Sequence, residues 1–145
     1  MRPQETLYYP SLRPGINPLT LQGALVQAFL ERNLELRAYL IDEISSSDVE
    51  KVRAYLEEHA QASAVQGLFW LEVPEALLKG VHLEHVGCRP YCVAIELGAH
   101  FLRFELLVRS RSNHRCGCSS YAEPEQREFV IRFAEKLIGE LSIRT

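Results

Sequence analysis

Long apolar runs are missing from this 145-residue chain. No stretch approaches the ~18 consecutive apolar residues that a membrane helix needs, so no membrane partner is expected. The opening residues, MRPQETLYYPSLRPG, lack the apolar core of a secretory signal, and a cytoplasmic location follows by default. A basic surplus is missing as well: 16 Lys and Arg face 19 Asp and Glu, a net charge of −3. Dedicated nucleic-acid binders usually show the opposite balance, so nucleic acid is disfavoured as a partner, although a local basic patch is not excluded. Lysine is scarce, with three residues against 13 arginines. Arginine is the better bidentate anion ligand, but the base composition of a gene produces the same skew and is the simpler account.

Catalytic signatures are also lacking. The chain contains no G-x-S-x-G, P-loop, G-x-G-x-x-G or H-E-x-x-H, and the chemistry that each supports has no local support. Neighbouring carboxylates such as Glu57-Glu58 and Asp42-Glu43 fall on a solvated helix face and in a loop. A cysteine nucleophile paired with a distant histidine leaves no such local trace. The expectation leans away from an enzyme.

What is present is an ordinary globular composition, 47% hydrophobic and 24% charged, in a chain long enough to bury a core without staples. Residues 1–16 hold three prolines and no periodicity, which predicts an irregular arm. Residues 17–145 read as a single domain. Asn17-Pro18 opens an amphipathic helix to about Arg32. Alternation over Leu34–Asp42 predicts a strand. Ser47-Asp48-Val49-Glu50 fits a capping box for a helix to about Ala60, burying Val49, Val52 and Leu56.

Gly67–Val73 reads as a strand stopped by Pro74, with Phe69 and Trp70 in the core. Pro74–Gly80 reads as one or two helical turns, and Val81–Val86 as a short, weakly alternating strand. Pro124 opens a last helix with Val130, Phe133, Ala134, Leu137, Ile138 and Leu141 on its apolar face. The expected fold is α+β: a mostly antiparallel sheet of four to five strands, with about three helices packed largely on one face.

The clearest element is a hairpin from Cys92 to Arg109. Val93, Ile95 and Leu97 alternate before Gly98-Ala99, and Leu102, Phe104, Leu106 and Val108 alternate after it. A two-residue II′ loop with Gly98 at positive φ sets Ile95 opposite Leu102 and Val93 opposite Phe104. Continuing that register places Cys88 opposite Arg109.

All four cysteines flank this hairpin, as Cys88-Arg-Pro-Tyr-Cys92 and Cys116-Gly-Cys118. In a reducing compartment they are free thiols, metal ligands or reactive thiols before they are disulfides. Two short-spaced pairs suit a structural zinc held by Cys88, Cys92, Cys116 and Cys118, which is the one cofactor the sequence suggests. C-x3-C with C-x-C is not the usual zinc spacing, however, and unconnected core or surface thiols are the commonest outcome for such a set. A redox pair ranks behind the metal site. Mixed sets such as His82, His85 and Cys88 come last, because their i, i+3, i+6 spacing suits a helix and the segment reads as a strand.

A second cluster is basic: Arg103, Arg109, Arg111 and Arg115, with His114 and Arg89 nearby. Such a set could bind phosphate or another anion, and Phe101 on the polar sheet face could add a stacking surface for single-stranded RNA. Together these features point to a binding or assembly module, with thiol redox chemistry and anion or RNA binding as the alternatives. Self-association through the arm or an open sheet face fits the same reading.

Overall fold

In a computed structural model the structure describes residues 36–145, which form one compact unit. The expected arm (1–16) and first helix (17–32) lie outside the described residues. The elements in chain order are β1 (Ala38–Ile41), α1 (Ser46–His59), β2 (Gln61–Ala62), β3 (Leu68–Glu72), a 3-10 turn (Glu75–Leu77), α2 (Val81–Glu84), a second 3-10 turn (Val86–Cys88), β4 (Tyr91–Leu97), β5 (Leu102–Glu105), β6 (Leu107–Ser110), β7 (Ser120–Tyr121) and α3 (Pro124–Glu140). The class is α+β, and the sheet has seven strands rather than four or five. The excess comes from the two-residue strands β2 and β7, too short for periodicity to reveal, and from a break at Leu106 that divides one long strand into two.

All pairings are antiparallel. β4 is central, with β3 on one edge and β5 then β6 along the other. The hairpin between β4 and β5 forms, but with a longer turn. Ile95 faces Phe104 and Leu97 faces Leu102, leaving four residues, 98–101, in a loop closed by the Gly98 amide donating to the Phe101 carbonyl at 2.9 Å. Gly98 is not at positive φ. Its lack of a Cβ serves a different end: the Phe101 ring lies 2.1 Å from where that carbon would sit. Phe101 therefore belongs to the turn and not to a stacking platform.

A second departure follows at Leu106. Between the Ile95–Phe104 and Cys92–Arg109 pairs, β4 advances three residues while its partner advances five. The two extra residues form a bulge. Leu106 is itself fully buried, its amide donating to the Arg37 carbonyl and its carbonyl accepting from the Ala122 amide, both at 2.9 Å. The outer edge of this strand is thus covered in two pieces, by β1 up to Arg37 and by β7 from Ala122. Arg37 and Tyr121 join where the pieces meet, through a 2.7 Å hydrogen bond and a guanidinium 4.7 Å from the ring centroid.

One face of the sheet carries the core. Phe69, Leu71, Val93, Ile95, Leu102 and Phe104 are buried there beneath α1 and α3. Tyr55 of α1 meets Phe133 of α3 edge-on at 6.1 Å, and Phe133 meets Phe104 at 6.2 Å. The apolar faces of both helices are as the 3.6-residue spacing predicts. Pro124 opens α3 as expected, and the cap of α1 differs. The α1 N-cap is Ser45, whose Oγ accepts from the Asp48 amide at 3.2 Å, two residues before the expected Ser47; in a run of three serines the side chain that reaches the third amide wins. α3 is capped by Glu123, with Gln126 Oε1 accepting from the Glu123 amide at 2.9 Å.

The other face is polar and carries Trp70. The ring is half-buried, with Arg111 4.8 Å and Arg109 6.0 Å from its centroid. Alternation with buried Phe69 and Leu71 places it on this side, under guanidinium groups instead of in the core. Among the described residues no helix is long and apolar enough to cross a membrane.

Candidate metal centre

Residues 80–90 position half of the site. They form two successive tight turns rather than the expected strand. α2 is one turn long, closed by the His85 amide donating to the Val81 carbonyl at 3.2 Å, and the next turn is closed by the Cys88 amide on the His85 carbonyl at 3.0 Å. Helical turns place i and i+3 side chains together. His85 and Cys88 therefore project to one side.

The other half comes from the loop between β6 and β7. Ser110, buried at the end of β6, donates through Oγ to the Cys88 carbonyl and accepts from the Asn113 amide at 2.9 Å. The Arg111 amide reaches the Pro90 carbonyl at 3.0 Å, and the Cys116 amide reaches the Asn113 carbonyl at 3.3 Å. The loop is turned back onto residues 85–90, and Cys116 and Cys118 come with it.

The ligand atoms of His85, Cys88, Cys116 and Cys118 all lie within 4.8 Å of one another. His85 Nδ1 is 3.2 Å from Cys116 Sγ. A tetrahedral zinc with Zn–S of about 2.3 Å has ligand atoms roughly 3.8 Å apart, so small side-chain movements bring all four into bonding range. Three of the four cysteines thus share a site, and the set can hold a metal ion such as zinc.

Cys92 is not among them. It stands opposite Arg109 in the sheet, and alternation puts it on the opposite face from Tyr91, which packs under the cluster. It is fully buried there. Burial pushes its thiol up to about 11, against the pull of Arg111 and with a smaller push from Glu72. The C-x3-C spacing groups Cys88 with Cys92, but the chain enters β4 between them, which divides the pair.

Burial is also the first cause that raises Cys88, to about 11, followed by hydrogen bonds with Cys116 and Cys118. Cys118 goes the other way. Burial opposes its ionisation, but the polar groups around it, Tyr91, Cys116 and Cys88 with its own backbone amide, outweigh that and hold the thiol below its ordinary value. Tyr91 Oη also donates to the His85 carbonyl at 3.0 Å, fixing the turn that carries the histidine. All four cysteines are free of disulfides.

His82 does not join the site. It is buried, with Nε2 3.2 Å from Ser120 Oγ and its ring 4.6 Å from that of Tyr91, and burial lowers its pKa. His85 is the candidate ligand that cysteine spacing alone misses. Its signal is the histidine three residues before Cys88, which carries weight once residues 81–88 are read as turns.

Of the four candidate arginines, Arg109 and Arg111 come together over Trp70. Arg103 pairs with Glu96 at 3.5 Å and Arg109 with Glu105, while Arg89 pairs with Glu75 at 2.9 Å. Arg111 lies over Trp70, and Arg115 is exposed on the metal-site loop. Arg103 is thus paired across the strands, and Arg109 with a carboxylate four residues earlier on its own stretch of chain. Among known proteins the chain matches no family model, no curated protein and no solved structure.

Proposed function

We propose that this protein is a small binding or assembly module of a reducing, cytoplasmic compartment, whose loop between β6 and β7 is held in shape by a structural zinc. The observation that carries the reading is the convergence of four ligand atoms, from His85, Cys88, Cys116 and Cys118, within 4.8 Å. Four protein ligands complete a tetrahedral shell and leave no position for water or substrate, which is the arrangement of structural and not catalytic zinc. The ligands come from two segments 28 or more residues apart in sequence, so the ion would staple residues 85–88 to residues 116–118. That cross-link fixes the loop bearing Arg111, His114 and Arg115.

Elemental analysis tests the reading. Protein purified under reducing, chelator-free conditions is expected to carry about one zinc per chain, and Cys92→Ala is expected to carry the same amount. A content below ~0.2 zinc per chain rejects the site. Loss of zinc in Cys92→Ala alone would instead restore the four-cysteine set.

A further inference from the structure

The four ligands are unevenly covered. Cys118 is fully buried and Cys88 is 7% exposed, whereas Cys116 and His85 are partly open to solvent. A small water-borne reagent therefore meets Cys116 first. Both segments that carry the ligands are turns and loops and not ladder strands, so their sulfurs can approach without unpairing the sheet. The approach required is short. The sulfurs already lie within 4.8 Å, and a disulfide needs them at about 2.05 Å.

We propose, resting on the zinc reading above, that the centre is a peroxide-responsive thiol switch in which Cys116 is oxidised first and then bridges to Cys88, expelling the metal. In the first step the Cys116 thiolate attacks one oxygen of hydrogen peroxide. An S–O bond forms and the O–O bond breaks. Sulfur loses two electrons to become a sulfenic acid, and the other oxygen leaves as hydroxide. In the second step the Cys88 thiolate attacks the sulfenic sulfur. The S–S bond forms, the S–O bond breaks, and a second hydroxide leaves. Two thiolates and one peroxide thus give one disulfide and two hydroxides, and zinc departs because only His85 and Cys118 remain to hold it.

Cys88 is the resolving thiol for two reasons. Ser110 Oγ ties the Cys88 carbonyl and the Asn113 amide together, holding the Cys88 backbone beside the loop that carries Cys116. Cys118 is separated from Cys116 by Gly117 alone, and it is fully buried. The oxidised state differs from the zinc state in reach as well as charge. Cys118 and His85 are released, and with them the restraint on residues 117–119.

The test uses zinc-loaded wild-type protein and Cys92→Ala, treated with hydrogen peroxide while a chromophoric chelator reads released zinc, followed by tryptic mapping without reduction. Zinc release in step with one new cross-link between Cys88 and Cys116 is expected, in both proteins, with recovery of zinc binding after a thiol reductant and added zinc. In Cys92→Ala the cross-linked peptide contains no other upstream cysteine, so the assignment to Cys88 is direct. Zinc retained through peroxide treatment overturns the switch and leaves the structural zinc standing, as does release with Cys116 still open to alkylation. A Cys116–Cys118 bridge overturns the assigned pairing. An untreated protein without zinc overturns the metal reading itself, and the switch with it.

Discussion

Replacing Cys118 with serine, or stripping the metal with a chelator, is expected to lower the thermal midpoint by roughly 10 °C and to weaken zinc binding by at least about 100-fold. The magnitude follows from linkage. An ion that binds only the folded chain stabilises it by about 2.7 kcal/mol at a hundred times its dissociation constant, and each kcal/mol moves the midpoint of a domain this size by about 4 °C. Cys118 is the most demanding ligand to replace. It is the most deeply buried of the three clustered sulfurs, and serine replaces its soft thiolate with a weak zinc ligand. Scanning calorimetry of both proteins with and without chelator gives the answer. The wild type should drop to near the variant when chelated, and the variant should not respond. A wild-type midpoint indifferent to chelator contradicts a structural role for the ion.

The second large effect is in the core. Phe104→Ala is expected to cost about 3–5 kcal/mol, read as a fall in the urea midpoint of roughly 1–3 M. Phe104 is fully buried and stands where two neighbouring strands and a helix meet. It pairs with Tyr39 across β1 and with Ile95 across β4, and its ring is edge-on to Phe133 of α3. Truncation leaves a cavity bounded by strands on two sides and a helix above, with little freedom to collapse. Leu40→Ala, one position along β1 and 55% exposed, should change stability by less than about 0.5 kcal/mol. Equal effects at the two positions would show that the sheet does not pack as described.

Much of this fold was legible in the sequence because it rests on periodicity. The spacing of Val49, Val52 and Leu56 and of Val130, Ala134 and Leu137 marks two helix faces, and both are buried. The alternation of Leu102, Phe104, Leu106 and Val108 marks a strand, and all four are fully buried. Periodicity does not, however, determine register. The four-residue turn shifts the pairing of Ile95 from Leu102 to Phe104, a slip of two, and the bulge at Leu106 adds two more residues. Each keeps every apolar side chain on the core face. A slip of one reverses the faces and is selected against by burial, whereas a slip of two costs nothing that an apolar pattern can express. The turn geometry and the Phe101 ring over Gly98 decide it instead.

The candidate metal centre was legible in part for a related reason. Cys88, Cys116 and Cys118 are marked by residue type alone, but which fourth group joins them depends on whether residues 81–88 are extended or turned. Read as a strand, they separate His85 from Cys88. Folded as two tight turns, they put the two on one side. Trp70 shows the opposite error. An aromatic residue among apolar neighbours suggests the core, but strand parity sends it to the polar face, where two arginines cover it.

The two-piece outer edge has a further consequence, for association. A strand with unpaired amides and carbonyls is a template on which another chain can add. Here the edge of residues 107–108 is covered by only two residues, Ser120 and Tyr121, which follow directly from the loop that carries Cys116 and Cys118. Whatever holds that loop closed also keeps the exposed side of β6 out of reach of a neighbouring molecule. The same few residues that gather the ligands thus act as a guard against self-templating.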